Sequence, residues 1–168
     1  MPPSHPAALP IDELMKQCEV HRHRAGGPGG QHRNKVSTAI DLTHATGVAA
    51  AAGERRSQAE NLRVAVFRLR VNLALSVRCP YPPGAPPSDL WQSRLRTGRI
   101  VLNPAHDDFP TLLAEAMDVI TSLHFDVARA ATVLGCTPSQ LVKLLKDEPR
   151  ALAAVNDHRR LRGLRVMK

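Results

Sequence analysis

Between Arg24 and His32 the chain reads Arg-Ala-Gly-Gly-Pro-Gly-Gly-Gln-His, four glycines within five positions and one glutamine, with no serine, cysteine or lysine nucleophile among them. Chemistry from such a segment comes from the backbone. Glycine permits φ > 0 and lets the main chain approach a ligand closely, while Pro28 removes one N–H and restricts φ. The remaining N–H groups can be aimed at an oxygen that becomes negative in a transition state. Two phosphate-cradling glycine motifs do not fit. A dinucleotide fingerprint through Gly27 and Gly29 requires glycine where His32 stands, and a phosphate-binding P-loop requires glycine before Lys35, where Asn34 stands.

Side-chain catalysis has less to recommend it. His32 and His44 have the titration range of a general base, but no serine, histidine and acid set accompanies them. His32 is the better candidate for an RNA contact and His44 for the end of a strand. Cys18, Cys79 and Cys136 are widely separated and odd in number, so neither a disulfide framework nor a paired Cys-x-x-Cys zinc site is expected. The expectation is a reduced, cytoplasmic protein without a metal or cofactor. No basic start with a long apolar run, no stretch of 18 apolar residues and no amphipathic arginine presequence is expected to direct it to a membrane or an organelle.

The elements that must hold the glycine segment can be read on both sides of it. Residues 11–18 carry Leu14, Met15 and Cys18 at helical spacing behind Asp12 and Glu13, which suit a helix N-terminus. Residues 19–24 alternate as a strand into the glycines, residues 37–43 alternate as a second strand, and residues 48–52 pair with it across Thr46-Gly47. Ser57 is placed to cap a long helix with Leu62, Val66, Leu69, Leu73 and Val77 on one face, covering the sheet. Five prolines between Cys79 and Asp89 then predict a semi-rigid linker.

The order Gly27-Pro28-Gly29-Gly30-Gln31-His32, Asn34-Lys35 and Ser37-Thr38-Ala39-Ile40-Asp41-Leu42-Thr43-His44 resembles the peptidyl-tRNA hydrolase domain of class I peptide chain release factors and their codon-independent ribosome-rescue relatives. A second block, Thr46-Gly47-Val48 followed by Glu54-Arg55-Arg56-Ser57-Gln58 and Asn61, is similar to that family's threonine-glycine turn and arginine-serine-glutamine helix start. The resemblance covers residues 10–76. It departs at Gly26, where the family usually has serine, and at Arg33, where it usually has valine.

The resemblance implies hydrolysis of the ester between a nascent peptide and tRNA in the peptidyl transferase centre of the large ribosomal subunit. Gly29, Gly30 and Gln31 would be the catalytic residues. The backbone amide of Gln31 would donate to the oxyanion or leaving group, and its side chain would shape the pocket for water and be a methylation target. Arg24, His32, Arg33, Asn34, Lys35 and Arg56 would meet rRNA or phosphates, and the chain would act as a monomer. Codon-reading release factors also carry a large decoding domain, for which 168 residues leave no room, so rescue without stop-codon reading is the expectation.

The fold class expected is α+β. A small glycine-glutamine domain with a short sheet covered by a long helix occupies residues 1–78, a proline-rich linker residues 79–98, and a mainly helical region residues 99–168. Trp91 and the residues after it suit a helix or a short strand, and residues 109–123 a helix. Val127, Ala130, Ala131 and Leu134 end at Gly135, after which Thr137 and Gln140 form a capping box ahead of Leu141, Leu144 and Leu145. This pair resembles a helix-turn-helix exposing Ser139, Gln140, Lys143 and Lys146.

Arg159, Arg160, Arg162, Arg165 and Lys168 crowd the last ten positions. They suit either RNA phosphates or a packed terminal helix, since Leu161, Leu164, Val166 and Met167 are interleaved with them. Only five residues are aromatic, so the core must be aliphatic. The formal charge is +8, with +5 in residues 1–78 and +3 in residues 79–168, which favours a polyanionic partner. Two alternatives to hydrolysis stay open: a noncatalytic ribosome- or RNA-binding adaptor, and a DNA-binding regulator resting on the helix-turn-helix pattern alone.

Overall fold

The computed structural model describes residues 5–23 and 38–168. Among these, two turns of chain lead into helix α1 (Ile11–Lys16) and a three-stranded antiparallel sheet, β1 (Cys18–His23), β2 (Ala39–His44) and β3 (Ala49–Ala52). A long helix α2 (Gln58–Ser76) follows. Then come α3 (Asp89–Arg94), a hairpin of β4 (Leu95–Arg96) and β5 (Arg99–Ile100), and four helices: α4 (Phe109–Ser122), α5 (Val127–Val133), α6 (Pro138–Lys146) and α7 (Pro149–Leu161). The fold is α+β, as expected, and no helix among the described residues is long and apolar enough to cross a membrane.

Alternation in β2 decides which way the sheet faces. Ile40, Leu42 and His44 are buried against α2 while Asp41 and Thr43 are half-exposed between them. β1 pairs with β2 in the register His21↔Asp41 and His23↔Ala39, and β3 pairs on the other side with Leu42↔Ala50. The β2–β3 connection closes through His44 N–H donating to the Val48 carbonyl, with Gly47 at φ +83°. β3 is an edge, but its outward carbonyls are covered: Arg68 donates to Ala51 at 2.8 Å and Asn72 to Ala49 at 2.8 Å, both from α2.

Helix α2 is buried on more than one side. It packs on β2 and β3 along one flank and on α4 along another, so Val66, Leu69 and Leu73 share burial with Ala65, Val71 and Ala74. Its first position differs from expectation in mechanism. Ser57 is the N-cap residue but its side chain makes no capping bond. Val77 is the C-cap, in extended backbone, and Cys18 begins β1 instead of ending α1.

One apolar cluster continues from the sheet through α2 into α4, α5, α6 and α7. The proline-rich segment between α2 and α3 runs along α4. Asp118 accepts the Cys79 N–H at 3.0 Å, and Glu115 accepts the N–H of Ser88 at 2.7 Å and its hydroxyl at 2.5 Å. Thr97-Gly98, with φ +48° and +73°, forms the two-residue turn of the β4–β5 hairpin, the arrangement that two positive φ values favour.

The expected helix pair is present as α5 and α6. Asp126 caps α5 through the Arg129 N–H at 3.0 Å, Gly135 ends it at φ +67°, and Thr137 caps α6 through the Gln140 N–H at 3.3 Å. The capping box is half-formed, because the Thr137 N–H donates to the Gly98 carbonyl at 3.4 Å. Trp91, fully buried, donates its indole N–H to the Leu134 carbonyl at 2.7 Å and so fixes α3 to the turn between the pair.

Candidate functional site

The glycine segment joins the end of β1 to the start of β2. Arg24, Gly29, Gly30, Gln31, His32, Arg33, Asn34 and Lys35 lie outside the described residues, and the structure defines what flanks them. His23 and Ala39 are the last paired residues on the two strands. His23 Nδ1 lies 3.4 Å from an Asp41 carboxylate oxygen, and both side chains are about half-exposed.

Behind this base sits Asn61, fully buried in the first turn of α2. Its Nδ2 donates to the Thr38 carbonyl at 2.7 Å and to the Arg55 carbonyl at 3.0 Å, and its Oδ1 accepts the Arg55 N–H at 2.9 Å. One amide with two donors and an acceptor thus joins the entry to β2, the turn before α2 and α2 itself, leaving none of those amide functions bare. The four-residue periodicity Asn61, Ala65, Leu69, Leu73 on a buried face was the signal for this role in the sequence.

Electrostatically the base is open and cationic. Arg22, Arg55 and Arg56 are exposed and form no ion pair among the described residues. Glu54, the acid next to Arg55, is turned away onto Arg68 at 2.6 Å and also accepts the Gly53 N–H, and its carboxyl is held below its ordinary range chiefly by backbone hydrogen bonds. Arg56, two positions on, is thus left without an ion-pair partner among the described residues.

The three histidines nearest the site have different surroundings. His21 and His23 are exposed on β1. His44 is buried, with Nδ1 accepting from the Thr46 N–H at 3.1 Å and lying 2.9 Å from its hydroxyl, and Nε2 3.1 Å from the Gln17 side-chain oxygen. This pattern assigns the proton to Nε2, and burial lowers its pKa. His44 staples the β2–β3 turn to the end of α1 and has no free nitrogen for general-base work.

The remaining sequence-predicted residues lie elsewhere. Lys143 is exposed on α6. Arg159 donates to the Phe125 carbonyl at 2.5 Å and to the Arg165 carbonyl at 2.8 Å, Arg160 pairs with Asp157, and Arg162 lies over the Phe125 ring at 5.2 Å while donating to the His124 carbonyl at 3.3 Å. His124 and Phe125 have φ +56° and +65°, so two of these arginines secure a strained corner. The chain end folds back as well: Asn156 bonds Met167 at both its N–H and its carbonyl, at 2.8 and 3.0 Å.

A second polar cluster, not anticipated from the sequence, lies where the N-terminal segment meets α2 and α4. Donor atoms of His5, Cys79 and Asp118 fall within 4.8 Å of one another. The histidine and the carboxylate are already engaged: His5 accepts the Ala7 N–H at 3.0 Å and donates to the Val77 carbonyl at 3.2 Å, while Asp118 accepts the backbone N–H of Cys79 at 3.0 Å and a guanidinium N–H of Arg78 at 3.3 Å. Arg78 supplies the positive charge that a cation would bring. Burial raises Asp118 to about 6 and lowers His5. It also raises all three thiols, Cys136 to about 11, so none is an activated thiolate.

Comparison with known proteins places a family on the segment that carries the glycines. Residues 9–79 match the RF-1 domain, which spans α1, the sheet, the glycine segment and α2. Over this region the chain is 39% identical across 64 residues to peptide chain release factor 2 of Lactiplantibacillus plantarum, covering 38% of this chain and 17% of that protein. It is 43% identical across 67 residues to the chloroplastic peptide chain release factor PrfB1 of Arabidopsis thaliana, covering 39% and 15%, and 43% across 66 residues to peptide chain release factor 1 of Ureaplasma parvum, covering 38% and 18%. The chain thus spans less than a fifth of the length of these relatives, and the resemblance to the class I release-factor glycine-glutamine domain holds for residues 9–79.

Proposed function

We propose that this protein hydrolyses the ester of peptidyl-tRNA on the ribosome, with residues 24–37 as the segment inserted into the peptidyl transferase centre. The observation that carries the reading is the intact Gly29-Gly30-Gln31 within the RF-1 match. Its flanking strand is tied through Thr38 to the buried Asn61. A backbone-donor mechanism needs such a base, because a donor is effective only when its position is fixed before the charge develops.

In this mechanism the Gln31 N–H stabilises the oxygen that becomes negative as water attacks the ester carbonyl. The Gln31 side chain narrows the space to admit water over larger nucleophiles. Gly29 and Gly30 permit close approach of the backbone to RNA and the ester. Arg24, His32, Arg33, Asn34, Lys35 and Arg56 hold the segment against rRNA phosphates. No serine, cysteine or metal is required, in keeping with unactivated thiols at all three half-buried cysteines.

The finer reading is rescue of stalled ribosomes without stop-codon recognition. It rests on the match falling on the glycine-glutamine domain, residues 9–79, which is the part of the release factors that this chain shares. Release of labelled peptide should be measured from complexes stalled on truncated messages, on sense codons and on stop codons. The wild type is expected to release peptide from complexes lacking a stop codon, with Gln31→Pro and Gly30→Val at least about 100-fold slower, the scale of losing one preorganised donor. Equal release by wild type and variants would overturn hydrolysis in favour of a binding role, and strict dependence on a stop codon would overturn rescue.

A further inference from the structure

We propose that the face formed by α6 and the end of the chain docks on the phosphate backbone of an RNA duplex, as a second contact separate from the glycine segment. An open groove of about 440 Å³ lies here, with Lys143, Lys146 and Lys168 along it, Val142 and Met167 among its apolar lining, and Ser139 at one end. Among the described residues no acidic side chain lines it. Lys143 and Lys146 are three residues apart and so share one face of α6.

These lysines differ from most charged groups around them. Arg94 is paired with Asp108, Arg150 with Glu148 and Arg160 with Asp157, and Arg159 and Arg162 are spent on carbonyls near Phe125. Lys143, Lys146 and Lys168 are exposed, and none takes part in an ion pair among the described residues. Lys168 is brought to the groove by the two-point hold of Asn156, itself buried, on Met167. The folded-back end therefore adds a third cation to the two on α6.

The lining chemistry fits a nucleic-acid backbone better than a protein segment. Among the described residues no aromatic or arginine anchor of the kind that dominates protein interfaces lines the groove, and none is there for base stacking or bidentate base readout. Lysines act on phosphates as point charges, Ser139 can donate to a phosphate oxygen, and Val142 and Met167 can rest on sugar. Binding of this type is sequence-independent and strongly salt-dependent. The choice of RNA over DNA rests on the proposed ribosomal function.

The test is fluorescence anisotropy of the full chain with a labelled 20-base-pair RNA duplex from 50 to 200 mM KCl, about the range over which counterion release is readily seen. The triple variant Lys143→Gln, Lys146→Gln, Lys168→Gln is compared with a charge-matched control, Lys16→Gln, Arg63→Gln, Arg129→Gln, whose cations are exposed elsewhere. The triple variant is expected to bind at least about 10-fold more weakly at 100 mM salt, with the log–log salt slope reduced by about 2 to 3, while the control changes less than about twofold. Equal weakening of both variants or no weakening of the triple would overturn the proposal. So would tighter binding of the same-sequence DNA duplex or of a polyglutamate peptide. Gln31→Pro is expected to bind the duplex as the wild type does, and a wild type that releases no peptide while still binding the duplex through these lysines would count against the reaction alone.

Discussion

The side-chain nitrogen of Asn61 lies 2.7 Å from the carbonyl oxygen of Thr38, twenty-three positions away in the chain, where β2 emerges from the glycine segment. The same amide holds both backbone groups of Arg55. Asn61→Leu would fill similar space but leave three backbone functions without their partner. A loss of about 2–4 kcal/mol is expected in urea unfolding, from one lost bond each at Thr38 and at the two groups of Arg55. Peptide release, measured where the variant is still folded, is expected to slow further. Wild-type stability would show that the amide does not hold these segments.

Asn61→Asp makes a sharper version of the same test. It keeps an acceptor for the Arg55 N–H but turns the donor nitrogen toward the carbonyls of Thr38 and Arg55 into a second oxygen. An ionised carboxylate buried against two carbonyls is more costly than a missing donor. The aspartate variant is expected to be less stable than the leucine variant at pH 7 and to recover partly at pH 4, read by thermal melting. The opposite pH trend would exclude the assigned amide orientation.

Arg159 separates a structural arginine from an RNA-contacting one. Its guanidinium reaches the Phe125 carbonyl at 2.5 Å and the Arg165 carbonyl at 2.8 Å, and Phe125 stacks on His158 with ring centroids 4.4 Å apart. Arg159→Met retains the aliphatic stem but releases both carbonyls. It is expected to cost about 1–3 kcal/mol in denaturant unfolding, the scale of hydrogen bonds to a charged donor. Duplex RNA affinity of the folded variant should fall less than for the triple lysine variant, and a larger fall would return Arg159 to the RNA-contacting group.

What the sequence made legible follows the range of the interaction. Local chemistry was readable: Thr137 as a cap, Gly135 as a stop, and the alternation that buries Ile40 and Leu42. Ser57 occupies the expected cap position but makes no capping bond, while Asn61, one turn on, organises the helix start through residues up to twenty-three positions distant. The packing of α2 against α4 also escaped pattern reading, because a helix buried on several sides loses the single apolar stripe that reveals its orientation. The arginines at the chain end were legible as a cluster, but their partners, Phe125 and His124, lie more than thirty positions away. Gly29, Gly30 and Gln31 lie outside the described residues, and their proposed catalytic role rests on the sequence.

Opposing pH effects are expected from His5 and Asp118, which meet where the N-terminal segment joins α2 and α4. Burial is the largest influence on both, raising Asp118 to about 6 and lowering His5. Asp118 binds its proton more tightly in the folded state, so its stabilising contribution is full below the ordinary carboxylate range and is lost as pH rises through about 6. His5 resists protonation in the folded state, so stability falls as pH drops below the ordinary histidine range. Asp118→Asn should therefore gain stability relative to wild type as pH rises from 4 to 7, and His5→Gln should gain relative to wild type as pH falls from 7 to 5. Urea midpoints at four pH values read both trends. Parallel slopes in the two variants would mean that one buried group, and not two with opposite proton preferences, governs the acid response of this junction.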